Sequence, residues 1–457
     1  MSRSTRRRGR LLVAAAAAAV AALSITACSS GGSPAADDPA DSGTLDWWGF
    51  SPNVTVANDL IAEFNKEYPD ITVNYKFYPN NTEYPAALRA GLASNEGPDL
   101  FNLATNAAAP VDQFGSFAVD LAPAYEAALG ADWKDKVSPL AIDSFTLENG
   151  SLAAASLGYV SAGLLYINQD LFDQYGLTPP TTLDEWKQVC ATFTANGVEC
   201  FTVGAGTAAF NMDPLHSIAN SLHPGDWQKA SEGEISWNDD WFIDTLQAWS
   251  DLRADGIMQD GALGLQQYPD ANNEFLQEKA AMVQMGTWYN GNLLAGNMTA
   301  AMEGAGVANP EPFTMVPIAF PDFTNKGEPG ALFSDVDSAI AVNKKSDSIN
   351  AATTFAMWLA TSETGQQDIA NRLELLPDSG ALPDFSAIDL VNPEVQQPVL
   401  EAFAPLTQAA TDEARFRLIK PNLYEALGAA STAVLEGTSP ADAAASVQAA
   451  ADEDRNS

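Results

Sequence analysis

The sequence predicts an α/β fold that is divided into more than one lobe. Residues 44–77 show the pattern of a strand, an amphipathic helix and a second strand, a β-α-β unit that implies a parallel sheet with a right-handed crossover. Residues 162–187 pass from a short apolar strand into two helices, as expected where a chain leaves one lobe and begins another. A length of 457 residues is enough for two or three domains.

The N-terminus predicts an export signal over residues 1–27. Its basic start is followed by an apolar stretch too short for a membrane span. The sequence before Cys28 resembles a lipobox, which predicts a lipid on Cys28; the alternative is ordinary secretion with Cys28 as an incidental thiol. Residues 28–43 are then the lipidated cysteine and a flexible, polar linker. The general secretory and twin-arginine routes both remain open.

The first strand predicts one edge of a ligand site. Residues 44–50 form that strand, and because successive side chains alternate, Trp47 and Trp48 point to opposite faces, so at most one of them faces a cleft. Ligands of open α/β sheets gather beyond the carboxyl ends of strands. The candidate contacts here are Trp48, Phe50, Ser51 and Asn53.

Further polar candidates follow the next two strands. Residues 71–77 form the second strand, after which Asn81 and Glu83 lie at the mouth of a helix. A third strand begins at residues 97–101, and Asn106 lies beyond it. An amide has the donors and the acceptor to bind a pair of ligand hydroxyls, although a turn-forming role for Asn106 is equally consistent with the sequence.

The middle of the chain is rich in helix boundary signals. An apolar strand over residues 162–167 is flanked by two further candidate contacts, Tyr159 and Ser161, and the helix at 170–175 ends at Gly176. Thr182 and Glu185 form a capping box for the next helix. That helix is expected to bury Leu183, Trp186 and Val189.

Two cysteines predict a disulfide. With Cys28 lipidated, Cys190 and Cys200 remain in an exported chain, and a bond between a helix and the following strand is the simple interpretation. Two cysteines alone do not make a zinc site. His216 and His223 are seven positions apart and are expected in capping or surface positions, with a metal site as the alternative.

Aromatic residues supply the other ligand candidates. Phe210 follows a strand, and Trp227 is expected in a loop, as a weaker candidate. The strand over 279–284 is followed by Gly286, which lets the backbone turn, and then by Trp288 and Tyr289. An aromatic face can stack on the C–H face of a pyranose, whereas core packing is the alternative for Trp288.

The last third of the chain contributes acidic candidates and one basic one. A strand begins within residues 333–340, with Asp335 and Asp337 as possible acceptors for ligand hydroxyls; loop capping is the alternative. Helices follow over about 351–373 and 395–451, and Arg417 could reach a cleft.

The charge balance excludes some classes of partner. The formal charge is -37, and without residues 1–27, which hold five Arg and no acid, 17 basic residues face 59 acidic ones. Such a chain repels phosphate backbones, so no nucleic-acid partner is expected. Phosphate-binding Gly-rich loops, HExxH and GxSxG are missing from the sequence, but a pair of acids set apart by the fold would suffice for a glycosidase.

Three segments together resemble the bacterial extracellular solute-binding proteins of family 1, the sugar-binding lipoproteins of ABC importers. They are residues 157–187, the Gly97-Pro98-Asp99 strand start, and residues 275–293 with Gly286 and Trp288. The resemblance extends from about Thr44 to the C-terminal helices. Ser334-Asp335 stands where many relatives carry two glycines, a departure that bears on the ligand.

The resemblance implies a type II periplasmic-binding-protein-like fold, two discontinuous α/β lobes with a hinge and a ligand cleft between them. The expected lobes are 44–158 with 316–372, and 159–315 with 373–457, and the chain crosses near 157–163, 310–320 and 372. Residues 310–321 resemble the strand that returns to the first lobe. Closure of the lobes on a mono- or oligosaccharide would precede delivery to an ABC permease that is driven by a separate ATPase. The family implies a monomer without a cofactor, held at the outer face of the membrane through its lipid alone. The alternatives are the same fold binding a polyol, a peptide or a phosphodiester, and an extracellular carbohydrate-active enzyme.

Overall fold

A computed structural model describes residues 38–78, 83–94, 96–105 and 109–456. The strands are β1 (Gly43–Gly49), β2 (Ile71–Phe77), β3 (Leu100–Leu103), β4 (Ala155–Ala162), β5 (Leu164–Asn168), β6 (Glu199–Thr202), β7 (Ala280–Met285), β8 (Met315–Ala319) and β9 (Phe333–Val342). The α-helices are α1 (Val54–Glu67), α2 (Glu83–Ala93), α3 (Val111–Phe114), α4 (Ala122–Leu129), α5 (Pro139–Phe145), α6 (Gln169–Tyr175), α7 (Leu183–Ala195), α8 (Ala208–Leu222), α9 (Asp226–Ser231), α10 (Asp240–Ala254), α11 (Asn272–Leu276), α12 (Ala295–Gly304), α13 (Ile349–Thr361), α14 (Glu363–Arg372), α15 (Pro393–Ala409), α16 (Pro421–Leu435) and α17 (Pro440–Asn456).

The first sheet has the order β2-β1-β3-β9-β4. β1 pairs in parallel with β2 and β3, and β9 runs antiparallel between β3 and β4. The β-α-β unit predicted at the N-terminal end is confirmed. α1 forms its middle part because its apolar residues recur on one face, and Leu60, Ile61 and Phe64 bury that face against the sheet.

The second sheet has the order β6-β7-β5-β8. The single strand predicted over residues 162–167 is two strands, because Gly163 interrupts it with a φ of +95° that few other residues adopt. β4 ends at Ala162 in the first sheet, and β5 starts at Leu164 in the second. The chain therefore crosses from one sheet to the other at Gly163.

The return crossing lies later than the sequence predicted. Residues 310–321 were expected to contain the strand that returns to the first lobe, but β8 pairs antiparallel with β5 in the second sheet. The first sheet is rejoined by β9. A five-residue apolar strand fits either sheet, and the pairing with β5, which local sequence does not encode, decides its place.

Each sheet and the helices packed on it enclose a hydrophobic core and together form one lobe. Trp47 is fully buried in the first core, whereas Trp186 and Trp249 are buried in the second. The prediction of a ligand loop at Trp227 was wrong: this residue lies on α9, 1% exposed, with its ring 5.1 Å from that of Trp237. A helix there lets the indole turn inward.

The predicted disulfide is confirmed, since Cys190 on α7 is bonded to Cys200 on β6. The capping box is confirmed in one half: the Thr182 hydroxyl accepts the Glu185 amide proton. The Glu185 carboxylate, however, accepts from the backbone and hydroxyl of Thr181, one residue earlier than expected.

Two further findings concern the described part of the chain alone. Within it, no helix has both the length and the apolar character needed to cross a bilayer. The same residues contain no cluster of three or more His, Cys, Asp or Glu side chains placed to hold a metal ion.

Candidate functional site

The loop after β1 is held in place through its carbonyl groups. The Asn102 side chain, fully buried on β3, donates to the Ser51 carbonyl at 2.6 Å and accepts from the Trp47 indole N–H at 2.6 Å. The Tyr75 hydroxyl donates to the Pro52 carbonyl at 2.7 Å. The loop over residues 50–53 is therefore fixed at the carboxyl end of the first sheet.

Asn53 joins this loop to the segment that follows α14. Its side-chain oxygen caps α1 by accepting from the Val56 N–H at 3.1 Å, and its side-chain NH₂ donates to the Glu374 carboxyl at 2.5 Å. Glu374 in turn lies so close to Gly291 that a Cβ added there would meet its Oε1 at 2.5 Å. Burial raises the pKa of Glu374 to about 8, so this carboxyl group keeps its proton at neutral pH.

The Trp288 turn, the 3₁₀ segment Thr287–Leu293, follows β7. Gly286 precedes it, and a Cβ there would lie 2.1 Å from the Trp288 ring and 2.5 Å from the Ser161 carbonyl oxygen. The Ser161 N–H donates to the Thr287 hydroxyl at 2.9 Å. Glycine is thus needed at position 286 because the Trp288 ring and the Ser161 backbone approach it closely. The turn is attached directly to β4 of the first sheet.

Three aromatic rings gather beside this turn. The ring centroid of Phe210, on α8, lies 5.7 Å from that of Tyr268 and 6.5 Å from that of Trp288. Tyr268 is 43% exposed, which is high for so large a ring, and Trp288 is half-buried between the two lobes. Such a group offers apolar faces of the kind that stack on sugar rings.

The charges around these rings are paired with one another. The Arg415 guanidinium donates two bonds to the Asp213 carboxylate, at 2.8 and 2.7 Å, and lies 4.4 Å over the Trp288 ring. Both side chains of this ion pair are buried. The guanidinium covers one face of the indole and contributes little net charge to its surroundings.

The expectation that Asp335 accepts sugar hydroxyls conflicts with its position. Asp335 is 3% exposed, and its carboxylate accepts from the Phe416 and Arg417 backbone N–H groups at 2.6 and 2.9 Å and from the Arg417 guanidinium at 2.9 Å. Burial raises its pKa, against the opposing effect of Arg417. Asp335 and Arg417 therefore tie β9 to the segment before α16, and we do not carry either residue forward as a ligand contact.

Tyr289 is also placed in a core instead of a cleft. It is 3% exposed, its ring packs 5.2 Å from that of Tyr166, and its hydroxyl donates to Asn272 at 3.0 Å. The 3₁₀ turn rotates it inward while Trp288 faces the boundary between the lobes. Tyr159 and Ser161 are buried as well, at the crossing strand β4.

The remaining predicted contacts are spread along the first lobe. Phe50 and Trp48 are half-buried, with the Lys76 ammonium 4.6 Å over the Trp48 ring, and Glu83 begins α2 in an exposed position. Phe50, Ser51 and Asn53 lie together in one loop. Asn81, Asn106, Cys28 and the side chain of Asp337 fall outside the described residues.

Sequence reasoning missed Glu374, Arg415, Tyr268 and Asn102. Tyr268 lies seven residues before Phe275, outside the segment in which the aromatic candidates were sought. Glu374 and Arg415 act through partners 321 and 202 positions away, which local sequence does not reveal. Asn102 had a usable signal, a polar residue within an otherwise apolar strand.

Comparison with known proteins gives a family and a fold. Residues 51–366 match the family model of the bacterial extracellular solute-binding proteins. A melibiose/raffinose/stachyose-binding protein, MelE of Bacillus subtilis (strain 168), is 29% identical over 133 residues, which make up 29% of this chain. The match spans 28% of the length of that relative.

Solved structures show the same fold over most of the chain. The GacH receptor of Streptomyces glaucescens, known in an unliganded form and with acarbose, matches with a TM-score of 0.63, 20% identity and coverage of 90% of this chain and 98% of that one. A sugar transporter of Bacillus licheniformis, in complex with stachyose, matches with a TM-score of 0.57 and 18% identity, covering 89% and 98%. Two α/β lobes around an interlobe cleft are therefore the architecture of this chain.

Proposed function

This chain belongs to the family of bacterial extracellular solute-binding proteins, and from that premise we propose that it captures an uncharged mono- or oligosaccharide between its lobes. The observation that carries the proposal is the group of three aromatic rings, Phe210, Tyr268 and Trp288, at the Trp288 turn, which Glu374 connects to the loop of residues 50–53. Aromatic faces bind the C–H face of a sugar, while polar groups of the loop bind its hydroxyls. The sugar-binding relatives support this choice of ligand class.

The pairing of charges supports an uncharged ligand. Arg415, which lies over the Trp288 ring, is bonded to Asp213, and Arg417 is bonded to Asp335, so both cations are already neutralised. Breaking a buried ion pair is costly because it leaves one buried charge without a counter-ion. A charged ligand would therefore gain little by competing for one of these groups. A polyol or a peptide in the same fold is the alternative.

We propose further that the lobes close on the ligand by a hinge at the crossing segments, and that the closed form delivers the sugar to an ABC permease with a separate ATPase. The first lobe comprises residues 44–162 and those from β9 to about 372, instead of the 44–158 and 316–372 expected from the sequence. The second lobe holds β5 to β8 and the C-terminal helices. Residues 1–27 serve as the export signal, Cys28 carries the lipid anchor, and the protein acts as a monomer without catalysis.

A thermal-shift screen of residues 29–457 tests this function. The panel contains raffinose, stachyose, acarbose, xylotriose, glucose, sorbitol and a tripeptide. A sugar at about a hundred times its Kd should stabilise the fold by about 2.7 kcal/mol. Trp288→Ala should lower affinity for that sugar at least tenfold, whereas Leu406→Ala, at an exposed position on α15, should leave it unchanged.

Each other outcome has a definite meaning. If only sorbitol or the tripeptide shifts the unfolding temperature, the fold assignment stands but the proposal of a carbohydrate ligand is overturned. If chromatography shows that the sugar disappears during incubation with the protein, the protein would be an enzyme that acts on this sugar. If Trp288→Ala unfolds, Trp288→Phe, which keeps a smaller aromatic face, provides the comparison.

A further inference from the structure

The segment after α14 is held in a constrained conformation. Leu373 ends α14 with a φ of +68°, a left-handed conformation that is unusual for a large side chain. Three residues later, Leu376 exchanges two backbone hydrogen bonds with Tyr159 of β4, at 2.8 and 2.9 Å. Glu374 lies between these two fixed points, and their geometry directs its side chain inward.

The Glu374 carboxyl group contacts the ligand loop on one side and the Trp288 turn on the other. It accepts the hydrogen bond from Asn53 in the first lobe and packs flush against Gly291 in the second. Pro52, Val56 and Leu157 surround it with apolar groups, and the residue is 7% exposed. This contact connects the two structures that the proposed function places around the sugar.

The charged and titratable groups that face Glu374 are Arg372, Tyr75 and Tyr268. Arg372 is already paired with two other carboxylates, since it donates to Asp59 at 2.9 Å and to Asp368 at 3.0 Å. Burial, with a smaller contribution from Glu374, raises the pKa of Tyr75, so this phenol stays protonated. The apolar surroundings therefore outweigh the nearby cation.

We propose that Glu374 is a positioning residue of the ligand site, which in its uncharged form couples the Asn53 loop to the Trp288 turn and so sets ligand affinity. The proposal rests on the proposed function. A neutral carboxyl fits against Gly291 and the apolar side chains around it, whereas a carboxylate requires water in that space. Ionisation strengthens the hydrogen bond from Asn53, which by itself lowers this pKa, but it brings water between the carboxylate and Gly291. The Trp288 turn then loses its contact with the Asn53 loop, and affinity falls as pH rises through about 8, the pKa of Glu374.

Amide hydrogen exchange on the ligand-free protein tests the coupling without any sugar. Wild type and Glu374→Gln, an isosteric and permanently neutral variant, are compared at the same pH, so that intrinsic exchange rates cancel. At about pH 7 the two should match. At about pH 9.5 the wild type should exchange several-fold faster in peptides covering both 50–56 and 287–293.

Asp378→Asn is the matched control. Asp378 is a buried carboxyl of the same segment, with a pKa raised to about 6 by burial, and it faces Tyr159 instead of Gly291. This variant should behave as the wild type at both pH values. Equal exchange in wild type and Glu374→Gln at pH 9.5, or faster exchange confined to 372–378, would overturn the proposal.

Calorimetry with the sugar that gives the largest thermal shift supplies the second readout. Wild-type affinity should fall at least fivefold between about pH 7 and 9.5, while Glu374→Gln keeps its affinity. A wild-type affinity that stays constant would overturn the proposal. If no sugar binds, the proposed function fails, and hydrogen exchange alone decides the role of Glu374.

Discussion

Arg415 serves two neighbours with one guanidinium group. It is bonded through two nitrogens to the Asp213 carboxylate, and its Cζ atom lies 4.4 Å from the centroid of the Trp288 ring. Arginine suits this position because its planar group can stack and form a two-bonded ion pair at the same time. The pair thus helps to orient Trp288.

The Asp213–Arg415 pair gives a prediction at the residue scale. Asp213→Ala leaves a buried cation without its partner, so the free energy of unfolding should fall by about 3–5 kcal/mol in urea titrations of the ligand-free protein. Asp132→Ala removes an exposed pair with Lys136 and should cost less than about 1 kcal/mol. Equal losses in the two variants would show that burial of the pair does not matter.

At the scale of elements, α7 and β6 are joined both by packing and by a covalent bond. The turn between them passes through Gly197, whose φ of +77° suits glycine. Trp186 and Phe201, one from each element, pack with ring centroids 5.2 Å apart. Packing by itself therefore brings the two cysteines together, with Cα atoms 4.9 Å apart.

The disulfide gives a prediction at this scale. The bond closes a loop with a sequence separation of 10, and loop-closure entropy assigns about 2–3 kcal/mol to it. The double variant Cys190→Ala and Cys200→Ala should lose about that much stability to urea yet keep the fold. Reducing agent should lower the urea midpoint of the wild type and leave that of the double variant unchanged; an unchanged wild type would contradict the prediction.

The whole molecule is acidic, and its buried carboxyl groups make its stability depend on pH in a definite direction. Glu374 and Asp378 have folded-state pKa values of about 8 and 6, above their ordinary values of 4.5 and 3.8. The folded state therefore holds protons that the unfolded state has released, and stability falls as pH rises from about 4 to 8. Repulsion among the many surface acids acts in the same direction.

Asp322 has the opposite effect. Its carboxylate accepts hydrogen bonds from the backbone of Thr324, Lys326 and Gly327, and these and further bonds lower its pKa to about 2, against the effect of burial. Its contribution to stability is present above about pH 4 and is lost as pH falls towards 2. Thermal unfolding should therefore show the highest Tm between about pH 4 and 5.

Scans from about pH 3 to 9 check this profile. Glu374→Gln should flatten the decline above pH 5, and Asp322→Asn should flatten the rise below pH 4. A wild-type Tm that increases from pH 5 to 8 would contradict the assignment of the buried acids. Added salt should raise Tm at pH 8 more than at pH 5, because it screens the surface charges.

Features set within a few residues could be predicted from the sequence. The β1-α1-β2 unit follows from residue periodicity, and Gly176 ends α6 in the left-handed conformation expected of a C-terminal glycine. The same local logic identified Gly286 and the position of Trp288. It could not distinguish Trp288 from Tyr289, because the rotation of the turn between them depends on what each ring packs against.

The sequence by itself determined the α/β class, the order of its early elements, the disulfide and the strand-end loop that carries Ser51 and Asn53. Only the tertiary structure decided that β8 joins the second sheet, that the Asp335 carboxylate is paired with Arg417, and that Glu374 lies between Asn53 and Gly291. The physical reason is the sequence distance over which the interactions act. Backbone conformation depends on neighbours within one or two turns, whereas the pairing of strands and buried charges depends on residues 80 to more than 300 positions apart.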